Sequence, residues 1–152
     1  AYLSAVANVL AGGMFQIGDD LTALEDWRKE ILLDPALNKI AGLFTPFKPV
    51  DLFSFITPRV IGNPVMDPTR QGAVPEIWYM EQDGDVKYAA IVNWSDEARE
   101  YEDLSEYITI DKAEYNGFIK VFGQGEIEET ETGSIYRLDG RQAMILERKA
   151  PE

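Results

Sequence analysis

Apolar residues recur at helical spacing over the first ten positions, with Leu3, Val6, Ala7 and Leu10 on one face. The pair Gly12-Gly13 stops that helix near Ala11. A short apolar run, Met14 to Ile17, then ends at Gly18-Asp19-Asp20. Its pattern predicts a strand buried on both faces, which calls for parallel neighbours. Thr22 and Glu25 have the spacing of a capping box, so a second helix is predicted from about Ala23. Its stripe is Leu24, Trp27, Ile31 and Leu32. Asp34-Pro35 ends it, because the residue before a proline is pushed out of the α region. Pro35 to Ala41 is predicted as one more short helix, closed by Gly42.

The pattern then changes twice. From Phe44 to Pro75 lie six of the eight prolines, interleaved with Phe44, Phe47, Phe53 and Phe55. That density forbids a long helix, while the aromatics argue for an ordered crossover rather than a solvated linker. From Glu76 onward short apolar runs alternate with turn residues at 8–12-residue spacing. Ile77–Glu81 and Val86–Trp94 flank Asp83-Gly84, a hairpin signal. Tyr101–Ile110 alternates weakly; Gly117–Gly123, Ile127–Thr130, Ile135–Leu138 and Gln142–Arg148 follow, the last two joined by Asp139-Gly140. Six or seven such strands suggest an antiparallel sandwich, with both Asp-Gly pairs in type I′ turns that demand positive φ. The division is therefore 1–43, a helix-strand-helix unit; 44–75, the crossover; and 76–149, the β domain.

Composition narrows the chemistry. The chain has 14 Lys plus Arg against 27 Asp plus Glu, a net charge of −13, which disfavours nucleic acid and anionic membrane as partners. It contains no Cys and no His. Disulfides, thiolate chemistry, a Ser-His-Asp triad and a His-rich zinc site are excluded within it, and acid–base work would rest on carboxylates, Tyr or Lys. The apolar first ten residues lack a basic flank and are too short to span a bilayer, so a buried helix and a soluble, cytoplasmic setting are expected. Asn93-Trp94-Ser95 matches the glycosylation sequon, a pattern common by chance.

Four segments, in order, carry a resemblance. Gly12-Gly13 followed by Asp19-Asp20-Leu21 resembles the eighth barrel strand and following loop of the retaining, melibiase-type α-galactosidases. Pro49-Val50-Asp51-Leu52-Phe53 resembles their segment leaving the barrel. Pro75-Glu76-Ile77-Trp78 resembles the opening strand of their C-terminal β domain, and Ala89 to Glu97 a strand and turn within it. Residues 1–100 follow that order; 101–152 match only as a generic β tail. The resemblance implies a fold of class α+β: a helix-strand-helix remnant of a (β/α)8 barrel followed by an antiparallel β-sandwich. It also implies a carbohydrate partner, an α-galactoside, and a catalytic aspartate pair on earlier barrel strands. No segment here corresponds to those strands, and a whole barrel takes roughly 250 residues. No catalytic residue, metal ligand or cofactor is therefore expected in this chain.

Asp19 and Asp20 are the candidate substrate-binding residues, since sites in α/β folds are built just past strand C-termini. They would hydrogen-bond sugar hydroxyls or support the catalytic pair; equally, they would cap the helix that follows and complement its dipole. Adjacent residues point different ways, so they are not the couple of a retaining glycosidase, whose carboxyl groups lie roughly 5–5.5 Å apart. Trp78, Tyr79 and Trp94 would stack on sugars or, more in keeping with their alternation among aliphatics, fill the core. The acidic run Glu126–Glu131 lacks a calcium loop and is expected to be a solvated strand face. Three readings follow: the C-terminal part of an α-galactosidase-like hydrolase, inactive alone; a stand-alone carbohydrate-binding sandwich; or a bracing and oligomerisation domain. An orphaned barrel strand would also promote self-association through residues 10–20.

Overall fold

The computed structural model describes residues 1–12, 22–50, 75–111 and 115–150. The predicted strand Met14–Ile17, Asp19, Asp20 and most of the proline-rich crossover lie outside the described residues. The described chain is α+β, with three α-helices and eight strands in two antiparallel sheets. The helices are α1 (Tyr2–Leu10), α2 (Asp26–Leu32) and α3 (Pro35–Ala41). A two-residue strand β1 (Lys48–Pro49) precedes β2 (Ile77–Gln82), β3 (Asp85–Val92) and β4 (Arg99–Tyr101). After a 3₁₀ turn at Leu104–Glu106 come β5 (Phe118–Gly123), β6 (Glu126–Thr130), β7 (Gly133–Leu138) and β8 (Ala143–Arg148).

One sheet has the order β1-β2-β3-β8-β5 and the other β4-β7-β6. Strands β3 and β8 are central in the larger sheet, and their apolar runs are covered on both faces. Tyr88, Ala90, Val92, Ala143 and Ile145 join a cluster with Ala5, Val6, Val9 and Leu10 of α1, Ile31 of α2, and Leu37 and Ile40 of α3. The intervening Ala89, Ile91, Met144 and Leu146 face Tyr101, Tyr136 and Leu138 of the smaller sheet. The strand period of two divides each run between the two clusters, giving a layer of helices, a sheet and a second sheet. Bulges adjust that division. Register shifts at Met80/Glu81 against β3 and at Lys120/Phe122 against β8. As a result Phe118 packs between the sheets while Phe122, four residues on, packs under the helices.

Local chemistry fixes several ends. Asp34 caps α3, its Oδ1 accepting from the Leu37 N–H at 2.9 Å, with Pro35 in the first turn. Lys39 of α3 reaches Glu147 of β8 at 3.0 Å, and the Tyr88 hydroxyl lies 3.2 Å from the same carboxylate oxygen. The turn between β2 and β3 has Asp83 at φ 54° and Gly84 at φ 81°, the two positive values a type I′ hairpin requires.

Three expectations change. Helix α2 starts at Asp26 without a side-chain cap, because Glu25 is turned to the Trp27 indole N–H (2.9 Å) and to Arg28 (3.3 Å). Of its predicted stripe only Ile31 is buried, and Trp27 is 47% exposed. Residues 107–110 are not a strand: the chain turns at Leu104–Glu106, and Ile108 is buried from irregular backbone. Asp139-Gly140 is not a hairpin turn either, since β7 and β8 belong to different sheets. The left-handed residue there is Arg141, at φ 61°. Gly140 is needed for space, because a Cβ on it would sit 2.2 Å from the Asp96 carbonyl oxygen.

Candidate functional site

Trp78 and Trp94 pack half-buried against the cluster beneath the helices. Both indole N–H groups donate to one acceptor, the Pro75 carbonyl oxygen, each at 2.9 Å. Both rings are partly buried in that packing. Asn93, at the end of β3, is fully buried. Its Nδ2 donates to the Glu97 and Asp139 carbonyls at 2.7 and 3.0 Å, and its Oδ1 accepts from the Ser95 N–H and hydroxyl at 3.1 and 2.7 Å. The sequon nitrogen is therefore an interior tie between the β3–β4 and β7–β8 connections. The acidic run on β6 is a paired surface: Glu128 meets Arg137, which also holds Glu100 at 2.7 Å, and Glu129 meets Lys149 at 2.9 Å. Flanked by those two carboxylates, the Arg137 guanidinium is pushed above its ordinary value.

A recess of about 440 Å³ opens where the 3₁₀ turn, the start of β5 and the β6–β7 turn meet. Asp103 lines it. One carboxylate oxygen accepts from the Ser105 N–H and the other from the Ser134 N–H, both at 2.9 Å. Burial pushes this carboxyl up, but those hydrogen bonds outweigh it and hold the group below its usual range. The Ser134 hydroxyl donates to Glu129 at 3.0 Å. Glu129 lies below the ordinary carboxylate range, first through its hydrogen bond from Lys149. Tyr136 is fully buried, its hydroxyl beside Asp103, Ser134 and Tyr115. Burial, then the Asp103 charge, pushes that phenol up to about 12. Tyr115 is raised further, by burial and then by Tyr136 and Asp103. At neutral pH the set is two ionised acceptors and two protonated donors.

Asp19 and Asp20, the expected site residues, lie outside the described residues. The recess was not anticipated, although signals for it exist. Asp103 and Glu106 have capping-box spacing around Leu104. Ser134 falls on the inward-facing positions of β7 together with Tyr136 and Leu138, a polar residue in an apolar alternation. Among the described residues no group of three or more Asp, Glu, His or Cys is gathered to hold a metal ion, and no helix is long and apolar enough to cross a membrane. Comparison with protein-family models, curated proteins and solved structures gives no match to this chain.

Proposed function

We propose that this chain is the C-terminal part of a retaining glycoside hydrolase acting on α-galactosides, with the catalytic aspartate pair carried upstream of it. The observation that best supports the reading is the meeting at Pro75. Two of the segments that resemble the hydrolase β domain, 75–78 and 89–97, are joined there through the indoles of Trp78 and Trp94. They meet on the face of the larger sheet that carries the helices. In this reading α1, residues 13–21 and α2 are the last helix-strand-helix piece of a barrel, and the β domain braces it. Asp19 and Asp20 contact sugar hydroxyls at the barrel mouth. Trp27, Leu33 and Phe44, 47%, 75% and 65% exposed, lie in or beside the helices and are the apolar side chains a neighbouring barrel helix would cover. Isolated from its barrel, the stretch 10–20 self-associates.

Turnover of an aryl α-galactoside tests this. The isolated chain is expected to be inactive, and the protein extended upstream through the preceding encoded residues is expected to be active. Turnover by the isolated chain, abolished by replacing one of its own carboxylates, would overturn the reading.

A further inference from the structure

The chain has five asparagines, Asn8, Asn38, Asn63, Asn93 and Asn116, and of these Asn116 alone is followed by glycine. An asparagine closes on itself when the next residue's backbone nitrogen attacks its side-chain Cγ, an approach that a following Cβ obstructs and glycine leaves open. Asn8 and Asn38 lie within α1 and α3, where the next nitrogen is held in helical geometry. The Asn8 Nδ2 donates to the Ser4 carbonyl at 3.0 Å, and that of Asn38 to the Leu32 and Asp34 carbonyls at 2.8 and 2.9 Å. Asn93 is fully buried and bonded through both side-chain polar atoms. Asn63 precedes Pro64, whose nitrogen carries no proton. Asn116 differs on each count. It is exposed, in irregular backbone ahead of β5, and its Nδ2 makes one contact, 3.3 Å to the Ala150 carbonyl. Gly117 is itself buried and stands at φ 84°, but a Cβ there would meet nothing nearer than the Lys149 Nζ at 3.8 Å. No described residue accepts from the Gly117 backbone N–H.

We propose that Asn116 is a site of self-modification, cyclising with the Gly117 nitrogen to a succinimide that water reopens to aspartate and isoaspartate. The Gly117 nitrogen gives up its proton to solvent base and forms a bond to the Asn116 Cγ. The Cγ–Nδ2 bond breaks, and Nδ2 leaves as ammonia. Water then adds to one of the two ring carbonyls. Opening at Cγ restores the ordinary peptide bond and leaves an aspartate side chain. Opening at the backbone carbonyl gives isoaspartate, in which the chain runs through Cγ and gains one backbone carbon. Either product replaces the donor facing the Ala150 carbonyl with an acceptor, so the tie to the C-terminal end is lost. It also adds negative charge to a recess already lined by Asp103 and Glu129. Isoaspartate lengthens the backbone just ahead of Phe118, which is fully buried between the sheets.

The whole 152-residue chain, incubated folded at mildly alkaline pH and mapped by peptide mass spectrometry over time, tests the proposal. The same chain unfolded in urea serves as the reference. In the folded chain the peptide holding Asn116 is expected to gain the one-dalton difference between an amide and a carboxyl. It should separate into two products of equal mass, aspartate and isoaspartate, while Asn8, Asn38 and Asn93 stay intact. The Asp83-Gly84 and Asp139-Gly140 pairs cannot mimic this result, because cyclising and reopening an aspartate leaves the mass unchanged. Gly117→Ala should slow the conversion about tenfold or more by obstructing the attacking nitrogen. If that variant does not fold, Asn116→Gln, whose longer side chain cannot close the five-membered ring, should yield no isoaspartate. The proposal is overturned if Asn116 stays intact in the folded chain while the unfolded chain converts it, since the fold would then protect the site. Aspartate as the sole product, the mark of direct hydrolysis without a ring, also overturns it.

Discussion

A methyl group added at Gly140 would place carbon 2.2 Å from the Asp96 carbonyl oxygen, whereas at Gly84 it would meet nothing within 4 Å. Both residues follow an Asp in a connection, and sequence pattern assigned them one role. Gly84→Ala is expected to cost about 1 kcal/mol, the strain of a left-handed backbone. Gly140→Ala should cost more, about 2–3 kcal/mol or above, because backbone must move to admit it. Denaturant midpoints of the two variants check the order, and equal costs would contradict the geometry. Asp103 offers a second test at this scale. Its folded carboxyl is held below the ordinary value of 3.8, so it contributes stability above that pH and loses it as pH falls through the folded value. Asp103→Asn should therefore be less stable than the parent at pH 7, by about 1–2 kcal/mol. The gap should narrow as pH falls below 3.8. Stability curves measured from pH 7 to pH 2 read this, and a gap independent of pH would exclude a role for the charge.

At the scale of elements, what was legible follows from how local each cause is. The helix Pro35–Ala41 rests on Asp34-Pro35, and the Asp83-Gly84 hairpin on two residues of its own turn, so both were readable. The apolar runs of β3 and β8 were also readable as strands. Which sheet each strand joins is decided by long-range packing, and β7 and β8 part company although only four residues separate them. Bulges at Met80/Glu81 and Lys120/Phe122 exchange which positions face which layer, with no signature in composition. The capping box at Thr22 failed because Trp27 and Arg28 compete for Glu25. The recess escaped notice because its parts come from three connections distant in sequence. Protection should follow the layers: amides of β3 and β8, covered on both faces, should exchange slowest, and those of β6 and α2 much faster. Hydrogen exchange followed by mass spectrometry distinguishes them, and protection of α2 equal to that of β8 would contradict the packing.

For the molecule as a whole, the helices and both sheets are held by two apolar clusters back to back across the larger sheet. Against the net charge of −13, part of the acidic surface is paired, as where Arg137 meets Glu100 and Glu128. The described residues thus form a layered scaffold of helices and two sheets with a polar recess. The proposed hydrolytic chemistry would lie outside them, on the catalytic pair that the proposal assigns to a preceding barrel. Retaining hydrolysis proceeds through a covalent glycosyl-enzyme intermediate on a carboxylate, and that step gives the most direct test. The upstream-extended protein is treated with a galacto-configured cyclitol epoxide, and the labelled residue is located by mass spectrometry. The account predicts one labelled Asp or Glu, on a residue preceding Ala1. A label on any carboxylate within this chain, or no labelling of the extended protein, would contradict it.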